Sequence, residues 1–238
     1  TREGTSLESK LMCLNEKGIL KWNFKIEGTV KSPPITDSYG NIYLATQKGE
    51  VIALNYRGSE IWRHKTRGYV LNSPCLDSNG NLFIVYSVIN LKNLKAVESG
   101  IEKISSYGKG KNFFKFLDWH NQTSPVITAE GNIYVISGTN NLYAVNPDGS
   151  KKWVISLSSP AKGNPATNRK EDIFLGCDDG TLKAYNKEGK LLWRYKTQGS
   201  IESSPLIDEK GLIYTGSNDG YLYCFTTEGN KKWSFYIG

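Results

Sequence analysis

Histidine is scarce: His64 and His120 are the only two in 238 residues, and neither stands at a metal-binding spacing such as HxxxH or CxxC…H, so no zinc site is expected. Cysteine is almost as sparse. Cys13, Cys75, Cys177 and Cys224 form no CxxC pair and lack the dense spacing of a disulfide framework, which leaves them as small buried residues. No apolar run approaches the roughly 20 residues of a membrane span. No 3.6-residue periodicity of helical length occurs either, so almost no helix is expected. A nucleophile elbow GxSxG is missing, and "GKGK" at Gly108 to Lys111 is too short and wrongly flanked for a phosphate-binding loop. The chain opens at Thr1 without a methionine, which points to processing or excision from something longer and makes the lack of an export signal uninformative.

What is present fits a globular chain: 38% apolar and 12% aromatic residues, enough for one large all-β domain or two small ones. Thirty Lys and Arg against 23 Asp and Glu give a net charge of +7, spread along the chain. Basic residues cluster only in "YGKGKNFFKF", which reads as a solvated surface rather than a nucleic-acid patch.

The informative feature is a repeat. Pro34, Pro74, Pro125, Pro165 and Pro205 are each followed nine residues later by an aromatic: Tyr43, Phe83, Tyr134, Phe174 and Tyr214. Ten further on, in four copies, comes a small residue (Ala53, Ala144, Ala184, Cys224), and nine beyond that Trp62, Trp153, Trp193 and Trp233. From each tryptophan to the next proline is twelve, so the period is 40. A partial copy with Cys13, Gly18 and Trp22 opens the chain. In the copy after Pro74 the small-residue slot is assigned to Ala96 and the tryptophan slot to Phe113, with three and eight extra residues expected in turns.

Within one copy "SSPLID", "LIYTGS", "LYCF" and "KKWSFY" are β-branched and aromatic runs separated by Gly-containing turns. Each copy is therefore a four-stranded antiparallel meander. Such units at this period predict an all-β protein, a β-propeller of about six blades. A single domain over 1–238 is expected, with a partial repeat at 1–28 and repeats at about 29–68, 69–119, 120–159, 160–199 and 200–238.

The pattern "LYAVNPDGSKKW", preceded by "SP" and "G-x-IY-x-G", resembles the repeat of pyrroloquinoline-quinone-type propellers over essentially the whole chain. That superfamily includes quinoprotein dehydrogenases and non-enzymatic members such as the outer-membrane assembly lipoprotein BamB. The resemblance implies a tryptophan-docking motif, in which the outer-strand indole packs between neighbouring blades. The docking residues would be Trp22, Trp62, Phe113, Trp153, Trp193 and Trp233. It is the non-enzymatic members that the chain resembles more: a quinone clamp needs adjacent cysteines, which are missing, and the dehydrogenases resemble a larger, eight-bladed ring. No cofactor and no catalytic residue is assigned, and an extracytoplasmic location is implied.

A ligand or partner surface is expected at one end of the ring. The innermost strand is taken to enter each "SP", where the position three before the proline reads Lys31, Leu71, Gln122, Lys162 and Glu202. The loop after each tryptophan slot is built of small residues except at Tyr69 and at Trp119 with His120. The segment 97–112 is expected as an insertion at the opposite end. "DSNGN" at Asp77 to Asn81 is a hairpin turn rather than a calcium loop. "NQT" at Asn121 meets the N-glycosylation pattern. The leading reading is a non-catalytic binding scaffold or sensor domain for a protein partner or a polar or anionic small ligand, as a monomer or part of a larger chain. A quinone-dependent oxidoreductase or a degenerate relative of one, and a carbohydrate or cell-wall binding module, are the alternatives.

Overall fold

The computed structural model describes residues 8–90, 92, 95–116 and 123–238. Every regular element among them is a strand, and the chain divides into two compact units, residues 1–117 and 118–238. The first unit opens with an antiparallel hairpin, β1 (Glu8–Leu14) and β2 (Leu20–Glu27). Two four-stranded sheets follow: β3 (Ile35–Thr36), β4 (Ile42–Ala45), β5 (Glu50–Leu54), β6 (Glu60–Lys65); then β7 (Cys75–Leu76), β8 (Leu82–Asn90), β9 (Lys95–Ile104), β10 (Gly110–Phe116).

The second unit holds three more such sheets. They are β11 (Val126–Ile127) to β14 (Lys151–Ser156) with β12 (Ile133–Ile136) and β13 (Asn141–Val145) between; β15 (Ala166–Thr167), β16 (Ile173–Gly176), β17 (Thr181–Tyr185), β18 (Leu191–Lys196); and β19 (Leu206–Ile207), β20 (Ile213–Gly216), β21 (Tyr221–Phe225), β22 (Lys231–Tyr236). These are six propeller-like blades, the first with two strands.

One cross-strand row explains the repeat. Ile35, Tyr43, Ala53 and Trp62 lie side by side on successive strands, as do Val126, Tyr134, Ala144 and Trp153. The aromatic and the tryptophan are two strands apart, close to 10 Å, so their rings can meet only over a small residue on the strand between. They do meet: the ring centroids are 6.0 Å apart for Tyr43 and Trp62, 5.8 Å for Tyr134 and Trp153, and 5.9 Å for Phe174 and Trp193. Alanine or cysteine in that slot is thus a clearance requirement. A bulge stands beside the slot, as in the register shift between Ala53 and Leu54.

The middle strands are buried on both faces, β12 and β16 throughout, while the outer strands β6 and β18 alternate. Tyr43, Val51 and Ala53 pack against Leu82, Ile84 and Tyr86 of the next sheet. Phe174, Leu182 and Ala184 pack in the same way against Ile213, Tyr223 and Phe225. Each fully buried Ile or Leu in such a layer contributes about 1.5–3 kcal/mol.

Three expectations need correction. The innermost strand begins after the proline, at Ile35, Ala166 or Leu206, because proline has no N–H for a ladder; Lys31, Lys162 and Glu202 therefore lie in the lead-in segment. Phe83 pairs with Lys103, so Lys103 and not Ala96 fills the small-residue slot; a phenylalanine at 113 leaves room for the lysine, whose Nζ lies 5.1 Å from the Phe83 ring centre. Finally, Cys13 and Cys75 are only partly buried, on the two-stranded sheet and a short inner strand, whereas Cys177 and Cys224 are buried.

Phe113 does take the tryptophan's place, meeting Phe83 edge-on at 5.0 Å. With the register set by Lys103, the extra residues form no turn insertion at 97–112. They lengthen β8 and β9 to nine and ten residues, against four and five in β4 and β5, with one more in the bulge before Phe114.

Candidate interaction surface

In the second blade the turn between the two middle strands lies beside the lead-in to the innermost strand. Gln47 N–H donates to the Thr29 carbonyl at 2.7 Å, and Val70 N–H to that of Gln47 at 3.0 Å. The second unit repeats this where Asn218 N–H donates to Ser200 at 2.8 Å. The contact is close enough to exclude side chains: a Cβ on Gly49 would collide with the Gly68 carbonyl, and Gly49 has φ 86°.

The lengthened β8–β9 hairpin therefore emerges at the same end as Tyr69, not the opposite one. Tyr69 exchanges both backbone hydrogen bonds with Ser87, at 2.8 and 2.9 Å. Glu98, on the extension, accepts from the Tyr86 hydroxyl at 2.7 Å and pairs with Lys115 at 2.9 Å and Arg67 at 3.4 Å. The Tyr86 bond and then the Lys115 bond hold the Glu98 carboxyl below its ordinary range, burial opposing them. Tyr86 is pushed up to about 12, by burial first and by Glu98 next. At the root of the hairpin His64 Nε2 and Glu102 Oε1 are 2.6 Å apart, and Arg67 N–H donates to the other Glu102 oxygen at 3.3 Å. Glu102 is buried. Gly100 admits no side chain, since a Cβ would meet the Phe114 carbonyl.

Glu98 and Glu102, four residues apart on β9, thus each bind Arg67, and the hairpin extends beyond the blade. On the extension Val97 is exposed, in the bulge where pairing shifts between Val88 and Ile89. Sequence reasoning assigned Tyr69 but not Glu98, Tyr86, Glu102 or His64. The available signal was an acid at 102, where the other copies have Ile52, Tyr143, Lys183 and Tyr223.

In the second unit, Lys162 and Glu202 are brought together at 3.1 Å, with Asp178 on the same ammonium at 3.4 Å. Asn218 Nδ2 donates to Ser200 Oγ at 2.7 Å beside them. Lys162 thus faces two carboxylates, an arrangement unsuited to capturing an anion. Lys31 is exposed. Trp119, His120 and Gln122 lie outside the described residues, as does Asn121.

At the other end, a groove of about 550 Å³ runs between the second and third sheets, walled by Asp37, Tyr39, Trp62 and Asp77. Both aspartates are engaged by their own turns: Asp77 Oδ1 accepts from Asn79 N–H at 2.9 Å and Asn81 N–H at 2.8 Å, the hairpin expected of "DSNGN". Among the described residues no group of three or more His, Cys, Asp or Glu could hold a metal ion. No helix among them is long and apolar enough to cross a membrane.

The sequence model for the outer membrane protein assembly factor BamB matches residues 5–97 and 103–234. The chain belongs to that family. Residues 98–102, between the two matched segments, lie on β9. The fold is similar to the crystal structure of BamB from Moraxella catarrhalis, with a TM-score of 0.68 at 13% identity over 98% of this chain and 78% of that one. A protein of unknown function from Bacteroides caccae is similar with a TM-score of 0.65 at 16% identity, covering 98% and 92%. A search of curated proteins finds no match.

Proposed function

We propose that the chain is a non-catalytic, extracytoplasmic interaction scaffold that holds a protein partner on the end of the first unit where β8 and β9 extend. The observation that carries this reading is the extension itself: alone among the described hairpins it projects beyond its blade, and Glu98, Tyr86, Lys115 and Arg67 stiffen it. A ribbon fixed in advance presents Tyr69, Arg67 and Val97 without the entropic cost of ordering a loop on binding. The family's role in outer membrane protein assembly supports both the protein partner and the compartment. Lys162, Glu202 and Lys31 are secondary candidates on lead-in segments.

The test is site-specific photocrosslinking in cells that carry the protein, with a photoreactive phenylalanine at Val97 and, as control, at Tyr107 in the exposed turn at the other end of the same sheet. A discrete protein adduct from Val97 and none from Tyr107 is expected. No adduct at Val97, or equal adducts at both, refutes the surface.

A further inference from the structure

Two grooves between neighbouring sheets are built alike and furnished differently. In the second unit, a groove of about 420 Å³ between the sheets β15–β18 and β19–β22 is lined by Arg169, Lys170, Glu209 and Lys210, charged residues of the turns that lead into β16 and β20. In the first unit, the groove of about 550 Å³ between the sheets β3–β6 and β7–β10 has Ser38, Tyr39, Ser78 and Asn79 at those turn positions.

The outer turn at each groove changes in the same sense. Thr227 lines the charged groove and is followed by Glu228, whereas Ser106 lines the other and is followed by Tyr107. The remaining copies of this turn also carry a charge where Tyr107 stands, at Lys17, Arg57, Asp148 and Glu188. Charge has thus been replaced by tyrosine and small neutral residues on both turns of one groove.

Tyr39 and Tyr107 are 84% and 83% exposed, and Ile61 and Trp62 line the groove they border. Their turns are pinned. Tyr39 N–H donates to Asp37 Oδ1 at 2.9 Å, and the Ser106 carbonyl accepts from the Trp62 indole at 2.9 Å. The two carboxylates in the wall are taken up internally: Asp37 also accepts from Asn41 Nδ2 at 2.9 Å and the Tyr43 hydroxyl at 3.0 Å, and Asp77 from Asn81 Nδ2 at 2.8 Å with the Lys103 ammonium at 3.9 Å. The exposed side chains of Ser38, Ser78 and Asn79 make no hydrogen bond among the described residues.

We propose that this groove binds a neutral saccharide, with sugar faces stacked on Tyr39 and Tyr107 and sugar hydroxyls held by Ser38, Ser78 and the Asn79 amide. Aromatic faces beside uncharged donors and acceptors match a ligand that has apolar C–H faces and hydroxyl edges. The volume lies within the roughly 300–1,000 Å³ of small-molecule sites, and tyrosine supplies contact area at low entropic cost. A proline-rich peptide fits less well, because its carbonyls call for a free ring N–H and the Trp62 indole already donates to Ser106. The site lies at the other end of the sheet from Val97 and does not depend on the protein-partner reading; a saccharide there leaves no protein adduct at Tyr107.

Calorimetric titration of the whole chain with chitohexaose, cellohexaose and maltohexaose, and with decaproline as the peptide arm, tests it. At least one of the hexasaccharides should bind, with an affinity insensitive to salt, and decaproline should not. Tyr39→Ala and Tyr107→Ala should each weaken binding by about tenfold while leaving the thermal melt unchanged, since both are exposed turn residues. Lys210→Ala, at the position of Tyr39 in the charged groove, should leave binding as it is. No binding by any of the hexasaccharides, binding indifferent to both tyrosine substitutions, or binding of decaproline in their place overturns the proposal.

Discussion

The indole of Trp193 lies on Gly229 and gives its N–H to the Thr227 carbonyl, 2.7 Å away in the following blade. Its other neighbours are Phe174 on its own sheet and Phe225 across the interface, at 5.9 and 6.2 Å. One side chain thus joins two sheets by packing and by a hydrogen bond, and the glycine is what lets the ring approach.

Truncating that wedge should cost what a core aromatic costs. Trp193→Ala is expected to lower unfolding free energy by about 3 kcal/mol, through lost packing and an unpaired turn carbonyl. Trp233→Ala, at the equivalent slot but exposed, should change it by less than about 1 kcal/mol. Urea denaturation of both variants checks the contrast; equal losses would contradict it.

Two tyrosines in equivalent slots differ in their hydroxyls. Tyr43 donates to Asp37 at 3.0 Å, whereas the buried Tyr134 hydroxyl has no partner, because Thr128 stands where Asp37 does, and the Thr128 hydroxyl is itself unpaired. Tyr43→Phe should therefore destabilise by about 1–2 kcal/mol, and Tyr134→Phe should be neutral or stabilising by about 1 kcal/mol, since it removes a buried unsatisfied group. Phe174 already fills this slot in the next copy. Thermal melts of the two variants, shifted in opposite senses or one of them not at all, would bear this out.

The brace on the extension carries a pH signature. The Tyr86 hydrogen bond and the Lys115 ammonium hold Glu98 below its ordinary range, against burial. In the unfolded chain its pKa returns to about 4.3. Between the two values the unfolded state binds more protons, so the stabilisation is present above about pH 4.3 and is lost as pH falls through the folded value. Urea midpoints recorded from neutral to acid pH should fall less steeply for Glu98→Gln than for the wild type. Superimposable acid limbs would mean that Glu98 does not brace the hairpin.

The periodic part of the molecule was legible in the sequence because each slot has one physical requirement. Tryptophan, its facing alanine or cysteine, and the turn glycine recur wherever the same ring must clear the same strand. The third blade was misread for the same reason. Ala96 satisfied the composition of the small slot, but only the pairing of Phe83 with Lys103 shows that the extra residues lengthen two strands and move the extension to the end that carries Tyr69. Side-chain partnerships across sheets, such as Lys162 with Glu202 and His64 with Glu102, depend on how blades stack, and no spacing within one copy reveals them.

That last pair offers the sharpest energetic contrast. His64 and Glu102 meet at 2.6 Å, with only 17% and 5% of their side chains exposed. The preceding interface fills the corresponding slots with Phe24, packed on the cluster that holds Ile52. Another interface uses Tyr195 and Tyr223, 6.0 Å apart. Removing one partner leaves the other buried without its counterpart, so His64→Ala and Glu102→Ala should each cost about 3 kcal/mol or more. Replacing both by the residues of the preceding interface, His64→Phe with Glu102→Ile, restores an apolar contact of the kind the scaffold already uses. The double variant should be at least as stable as the wild type, giving a coupling energy well above the error of a double-mutant cycle. The Arg67 N–H then loses its acceptor on Glu102, so the same variant should show faster amide hydrogen exchange around residue 67 than the wild type despite its stability. Strictly additive single and double variants would show that the two side chains do not interact.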